Sequence, residues 1–361
     1  MASPDCIKKI WPAITDNALS QIEDYSAFLQ YLNVAFSVFS KGKPPYSTSD
    51  LDTTLNLIAP MRQALAQNTS MKRNELVHHL TQCRPPVTSD LNSMCLCLSI
   101  WLTLNIVPPG AFDVGMLGKR RLEWQESSTI AEVINAAFPC PPIAQPDVLA
   151  WINPNLTIEY LHAMHDFKVL FIGNLAEHLD IQWRPNDRKP LIKVYKHKIF
   201  LLNELQFPQS SPLPKDLVQE TLDTLSLLFP NNDNYTQHFL EENKMLYLYR
   251  LGTFGGDRHC DLNHYRYWRV KIARLSNIVE AGPTGFRTIM PGRNLSNIKE
   301  SATFWVTVLL ITVLTVASIV LGALSYVVGR RQLDLAEVQY KLSLAQACAT
   351  MNSSQLPGWC L

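Results

Sequence analysis

The chain has 361 residues, of which 47% are hydrophobic and 17% charged, with 23 prolines, 14 glycines and a formal net charge of +1. That composition belongs to a globular protein and excludes a disordered or low-complexity one. The near-neutral charge removes any bulk attraction to nucleic acid or to an acidic surface.

The N-terminal stretch MASPDCIKKIWPAITDNALSQ has its apolar residues cut short by Thr15, Asp16 and Asn17, so it does not read as a signal peptide. Residues 17–40 predict a helix, with Leu19, Ile22, Phe28, Leu29, Leu32, Phe36 and Phe39 near helical spacing. Gly42, Pro44 and Pro45 end it. Ser49 and Asp50 offer a cap for a helix over 51–67, interrupted at Pro60, and a third helix starts at Ser70 and stops before Pro85. The apolar run 91–107 is diluted by Asn92, Ser93, Ser99, Thr103 and Asn105; it is short for a bilayer and reads as a central core helix.

Leu122 and Trp124 suit a short strand, and Ser128 can cap a helix reaching Ala137. CPPIAQPDV is a break. Beyond it Asn155 caps LTIEYLHAMHDF, and FKVLFI has the branched and aromatic content of a strand. NLAEHL makes a turn or short helix, and LDIQW and LIKVYKH form an extended pair about the polar loop RPNDRKP. KDLVQETLDTLSLLF is an amphipathic helix with Leu217, Thr221, Leu225 and Leu228 on one face, and 234–243 and 261–280 predict two more.

The chain is organised around 304–328, FWVTVLLITVLTVASIVLGALSYVV, which carries no charge. As a helix it spans roughly 37 Å, enough to cross a hydrocarbon core of about 30 Å with some tilt. Trp305 and Tyr326 near its ends, with Arg330 and Arg331 beyond, are the expected membrane-interface residues. The tail RRQLDLAEVQYKLSLAQACA keeps helical spacing, either continuing that helix or lying along the interface.

The expected fold class is therefore mainly α with a small antiparallel β element (α+β) and a single C-terminal transmembrane helix. The expected organisation is a helical lobe at 1–140, an α+β lobe at 141–281, a linker at 282–303, the membrane helix at 304–328 and a short amphipathic tail at 329–361.

Eight cysteines, at 6, 83, 95, 97, 140, 260, 348 and 360, follow no framework spacing and read as reduced, buried thiols. With the missing signal peptide they favour a cytosolic N-terminal region. Asn68, Asn155, Asn234, Asn294 and Asn352 open Asn-x-Ser/Thr triplets, which become glycosylation acceptors only where they face a lumen. Basic residues on the two flanks, Arg287, Arg293 and Lys299 against Arg330, Arg331 and Lys341, tie.

No catalytic motif emerges. His259, Cys260, Asp261 and His264 are the densest set of metal-ligating types, yet a structural zinc needs about four ligands and no second pair answers this one. His162 and His165 are three apart without the glutamate of a zinc protease, and His78-His79 and Glu177-His178 lack demanded partners. Gly252 to Gly256 is not followed by Lys-Ser/Thr, and the chain has no Gly-x-Ser-x-Gly elbow or kinase set. Lys193, Lys196 and Lys198 around a helix, strand and hairpin faintly suggest a winged helix, which the neutral charge and the anchor disfavour. No catalytic, cofactor-binding or metal residue is assigned, and no cofactor or nucleic-acid partner is expected.

The runs SIWLTLNI, RLEWQESSTIAEVINAAFP, LTIEYLHAMHDFKVLFIGNLAEHLDI, LIKVYKHKIFLL, PLPKDLVQETLDTLSLLFP and ATFWVTVLLITVLT occur in that order. In this respect the chain resembles a large group of uncharacterised filamentous-fungal proteins, over most of residues 90–328. The resemblance implies a globular N-terminal region, one C-terminal membrane helix and a fungal source, and implies no activity or cofactor. This chain departs in its longer, more regular tail.

The function expected is that of a membrane-anchored, non-enzymatic interaction or scaffold protein, with the lipid bilayer and unidentified proteins as partners. The alternative is a membrane-bound enzyme or accessory factor in a fungal biosynthetic pathway. Ser318-x-x-x-Gly322 permits close helix pairing and so self-association.

Overall fold

The computed structural model describes residues 4–14, 22–41, 51–82, 91–110, 120–140, 151–183, 189–206, 211–231, 233–250, 258–282 and 295–350. The elements in order are α1 Pro4–Ile10, α2 Ile22–Lys41, α3 Leu51–Asn56, α4 Ile58–Gln67, α5 Arg73–Gln82, α6 Leu91–Leu102, β1 Ile106–Val107, β2 Leu122–Glu123, α7 Ile130–Ala137 and α8 Ile158–His165. They continue with β3 Lys168–Ile172, β4 Ile181–Gln182, β5 Leu191–Tyr195, α9 Lys198–Gln206, α10 Lys215–Leu228, α11 Asn234–Glu242, α12 Tyr247–Arg250, α13 Arg269–Glu280 and α14 Leu295–Thr350. Two compact units result, Met1–Pro283 and Thr284–Leu361. The first takes in both segments expected as lobes, and one continuous hydrophobic core runs through it.

Helix α6 is the centre of that core: every residue from Ser93 to Leu102 is buried. A helix apolar all round must be enclosed on every side, and its buried Ser99 is satisfied locally. Ser99 donates to the carbonyl of Cys95 (2.7 Å), and its hydroxyl meets both the N–H and the carbonyl of Ile106 at 3.0 Å, pinning β1 to the helix. The helix stops at Leu102, short of the expected Val107. Thr103 takes a positive φ of 52°, costly for a branched residue, and is held there by a 2.8 Å hydrogen bond to Tyr195 Oη and by the N–H of Leu175 on its carbonyl (3.0 Å).

Local chemistry sets the other boundaries. The predicted interruption near Pro60 falls at Leu57, between α3 and α4. Pro60 is then the third residue of α4, where its missing N–H is one of the unpaired first-turn donors, while a continuous helix would drive its ring into the carbonyl of residue 56. The caps of α7 and α8 sit one and two residues beyond those expected: Thr129 forms a capping box with Glu132, and Thr157 accepts from Tyr160 N–H. Ser49 and Asp50 lie outside the described residues.

The expected purely antiparallel β element is corrected. Strand β5 is central, in the order β3-β5-β4; β3 pairs with it in parallel over five residues, from Lys168 opposite Leu191 to Ile172 opposite Tyr195. The expected pair LDIQW and LIKVYKH is real, as β4 antiparallel to β5, and β1 with β2 adds a second parallel contact. Residues 173–190 give β3 the dozen or more positions that a parallel return requires. All five residues of β5 are buried, which is why LIKVY reads as a run without alternation.

Candidate functional site

The segment from Arg258 to Trp268, which holds the densest set of ligand-type residues, is a staple. Arg258 donates to the carbonyls of Leu227 (3.0 Å), Leu156 (2.8 Å) and Pro154 (2.6 Å), and the Cys260 carbonyl accepts from Ile152 N–H at 2.8 Å. His264 Nε2 lies 2.8 Å from Asp223 Oδ2, its ring stacked 4.0 Å from His259. The Glu220 carboxylate accepts from the N–H groups of Arg266 (2.8 Å), Tyr267 (3.0 Å) and Trp268 (2.7 Å). It thus satisfies donors at the entry to α13 that a helix start leaves open. Burial raises its pKa against the opposing pull of those N–H groups and His264. The polar residues of α10 therefore fasten the 258–268 segment. Among the described residues no group of three or more His, Cys, Asp or Glu is placed to hold a metal ion.

The remaining histidines do not converge. His162 Nδ1 meets the Phe167 carbonyl at 2.8 Å, and His165 packs on Tyr160. His178 is fully enclosed: Nδ1 accepts from Tyr195 N–H (3.1 Å), so Nε2 carries the proton donated to Thr224 Oγ1 (2.7 Å). Burial, with Lys271 nearby, holds its pKa well below the ordinary 6.5. Gly252 to Gly256 lie outside the described residues.

Two buried polar groupings went unforeseen. In the first, Glu177 pairs with Lys193 of β5 and accepts from Arg120 N–H at 2.8 Å, while Arg120 reaches the carbonyls of Ala176 (3.2 Å) and Ala137 (3.1 Å). A lysine inside the apolar LIKVY and a glutamate inside NLAEHL were the available signals. Lys193 and Lys198 are both buried, so the cationic face of the winged-helix comparison does not form around them. In the second, the Arg62 guanidinium sits 5.1 Å over the Trp101 ring, and Trp11 Nε1 donates to Glu204 Oε1 at 2.9 Å. Glu204 Oε2, Trp101 Nε1 and Arg62 Nε and Nη2 are buried without hydrogen-bond partners. Burial raises the Glu204 pKa, opposed by Ser211, Trp11 and Arg62. A cavity of about 250 Å³ adjoins this group, lined by Leu65, Ala66, Thr69, Ile130, Ala131 and that same Ser211.

Helix α14 runs 56 residues without a break, starting inside the expected linker and absorbing most of the expected tail. At 1.5 Å per residue it is about 84 Å long. Within its stretch Ala302–Ala349 an 18-residue window reaches a mean hydropathy of 2.6, and none of that window is buried. One candidate membrane-spanning helix therefore stands at the C-terminal end of the described residues. No protein family, curated protein or solved structure matches the chain. Trp305 and Tyr326 are 55% and 70% exposed, and Arg330 and Arg331 follow on the same helix, exposed too.

Of the glycosylation candidates, Asn68 is exposed at the end of α4, Asn234 is exposed as the first residue of α11, and Asn155 is half-buried. Asn294 and Asn352 lie outside the described residues, as do Cys83 and Cys360. The uniform reading of the cysteines as buried thiols is corrected. Cys6, Cys95 and Cys97 are buried thiols, but the Cys140 thiol is exposed, the Cys260 thiol is half-buried, and Cys348 is disulfide-bonded.

Proposed function

We propose that this chain is a single-pass membrane protein whose N-terminal unit faces the cytosol and serves as a tethered interaction or scaffold module. The observation that carries this reading is α14, whose apolar window is nowhere buried among the described residues; hydrocarbon is the solvent that suits such a surface. Confinement to one membrane raises the effective concentration of the unit towards partners on that membrane. Among the described residues the cysteines before the apolar stretch are thiols rather than disulfides, which fits a reducing side for the N-terminal unit. The resemblance to the filamentous-fungal group belongs to the same reading. So does self-association through Ser318 and Gly322, since an added Cβ at Gly322 meets nothing within 4 Å.

Tags at both ends, alkaline carbonate extraction, protease protection and a glycosidase shift test the proposal. The chain is expected in the carbonate-resistant pellet, with the N-terminal tag digested, the C-terminal tag protected, and no glycan on Asn68, Asn155 or Asn234. Release by carbonate, or a glycan on any of those three, refutes it.

A membrane-bound enzyme or ligand-binding factor is the second reading, favoured by the unpartnered Arg62 and Trp101 atoms and by Glu204, whose partner Ser211 lines the cavity. It predicts a small molecule that raises the melting temperature of the wild-type chain and not of Glu204→Gln.

A further inference from the structure

The exposed face of α13 forms one side of an open trough of about 700 Å³. Trp183, Leu262, Val270 and Ile278 supply apolar walls, Arg269 and Arg274 supply charge, and among the described residues no acidic side chain lines it. Val270 and Trp183 are 76% and 63% exposed, large values for side chains that water solvates poorly. Val270, Arg274, Asn277 and Ala281 are all exposed at helical spacing, so among the described residues the face is a continuous exposed stripe. On the opposite side Ile272, Leu275, Ser276 and Val279 are buried in the core, which makes α13 a helix with two differentiated faces. Lys271 between them is already engaged, with Asp180 at 2.6 Å and the His178 carbonyl at 2.6 Å. Glu280, the one acid on α13, is hydrogen-bonded by Ser276.

We propose that this trough docks on the anionic phospholipid surface of the membrane that α14 crosses, an inference that rests on reading α14 as the span. A tryptophan with aliphatic neighbours and flanking arginines matches the interface, where an amphipathic ring sits at headgroup level and guanidinium groups meet phosphate. The position in the chain matches as well. Only residues 283–294 separate Gly282, just past α13, from Leu295 at the start of α14. Fully extended, that connection spans at most about 45 Å. A bilayer surface is thus permanently within reach of this face, at a local concentration that a free partner would have to match. Each basic residue near an anionic surface strengthens adsorption roughly fivefold, so Arg274 makes docking depend on lipid charge, while Trp183 and Val270 give it depth.

The test uses the full-length chain in nanodiscs of phosphatidylcholine alone or mixed with phosphatidylserine, each with and without brominated acyl chains. Subtracting Trp183→Phe from wild type isolates the Trp183 emission from that of Trp305, which the bromines reach in either case. Trp183 emission is expected to be quenched in the anionic nanodiscs and several-fold less in the zwitterionic ones. Arg274→Glu and Val270→Glu are expected to abolish the quenching with the near-ultraviolet circular dichroism unchanged; both side chains are exposed, so neither change disturbs the core. No quenching in anionic nanodiscs, or equal quenching in both, overturns the proposal. Shielding of Trp183 from aqueous iodide without bromine quenching overturns it too, and assigns the face to a second copy of the chain. Failure of the span reading is distinct: the chain then fails to incorporate into nanodiscs at all.

Discussion

Helices α6 and α14 are both strongly apolar and end in opposite surroundings. On α6, Leu98, Ile100, Trp101 and Leu102 are all at 0% exposure; on α14, Leu309, Ile311, Leu314 and Ile319 lie between 57% and 66%. The side-chain chemistry barely differs. What differs is length and company: α6 has 12 residues and a serine, Ser99, that finds its partner in β1, whereas α14 has 56 residues and, among the described residues, none of its apolar window is buried. Apolar content thus identifies a surface that avoids water, and only packing decides whether protein or lipid replaces the water.

The contrast breaks most visibly if α14 is made unfit for hydrocarbon. Val316→Arg with Ile319→Arg places two charges near the centre of the span, each opposing insertion by about 3 kcal/mol. Carbonate extraction is expected to move the double variant almost wholly into the soluble fraction, with the unfolding midpoint of the N-terminal unit unchanged.

The reverse experiment weakens the enclosed unit and leaves the anchor alone. Lys193→Met strands the buried Glu177 carboxylate and is expected to destabilise the unit by about 3–5 kcal/mol, read by urea unfolding in nanodiscs. Adding Glu177→Leu removes the stranded charge and is expected to recover most of that loss.

A smaller effect sharpens the same comparison through pH. Burial holds His178 and His197 well below 6.5, aided by Lys271 and Lys196 respectively. As pH falls through 6.5 the unfolded chain takes up protons at both positions and the folded one does not. Stability is therefore lost on acidification, at up to about 1.4 kcal/mol per pH unit for each histidine, until the folded pKa is reached. Glu204 and Glu220 act oppositely: their raised folded pKa values add stability as pH falls towards 4.5, offsetting part of the loss. Both ring nitrogens of His197 are buried without hydrogen bonds, and the ring lies among Phe28, Tyr31 and Tyr195. His197→Phe is expected to keep the fold and roughly halve the slope of stability against pH below 6.5.

The smallest effect belongs to the end of α14, where Lys341 and Glu337 form an exposed pair four residues apart at 2.9 Å. Lys341→Ala is expected to change neither membrane retention nor unfolding, because solvent screens such a pair.

The sequence by itself determined the elements whose causes are local. Periodicity located α10, length and lack of charge located the candidate span, and the interruption near Pro60 followed from ring geometry. It also identified 91–107 as core, because a short apolar run with scattered serine, threonine and asparagine suits an enclosed helix. Three features needed the tertiary structure. The parallel pairing of β3 with β5 depends on a return path through residues 173–190, and strand periodicity is the same for either direction. The end of α6 at Thr103 is held by Tyr195, 92 residues away. The polar residues of the 258–268 segment resembled a ligand set because their types are those of metal sites; only folding showed Asp223 of α10 taking up His264 and Glu220 taking up the backbone N–H groups of Arg266, Tyr267 and Trp268. Local rules fix where an element begins and which face avoids water, and partners distant in sequence decide what each polar group is for.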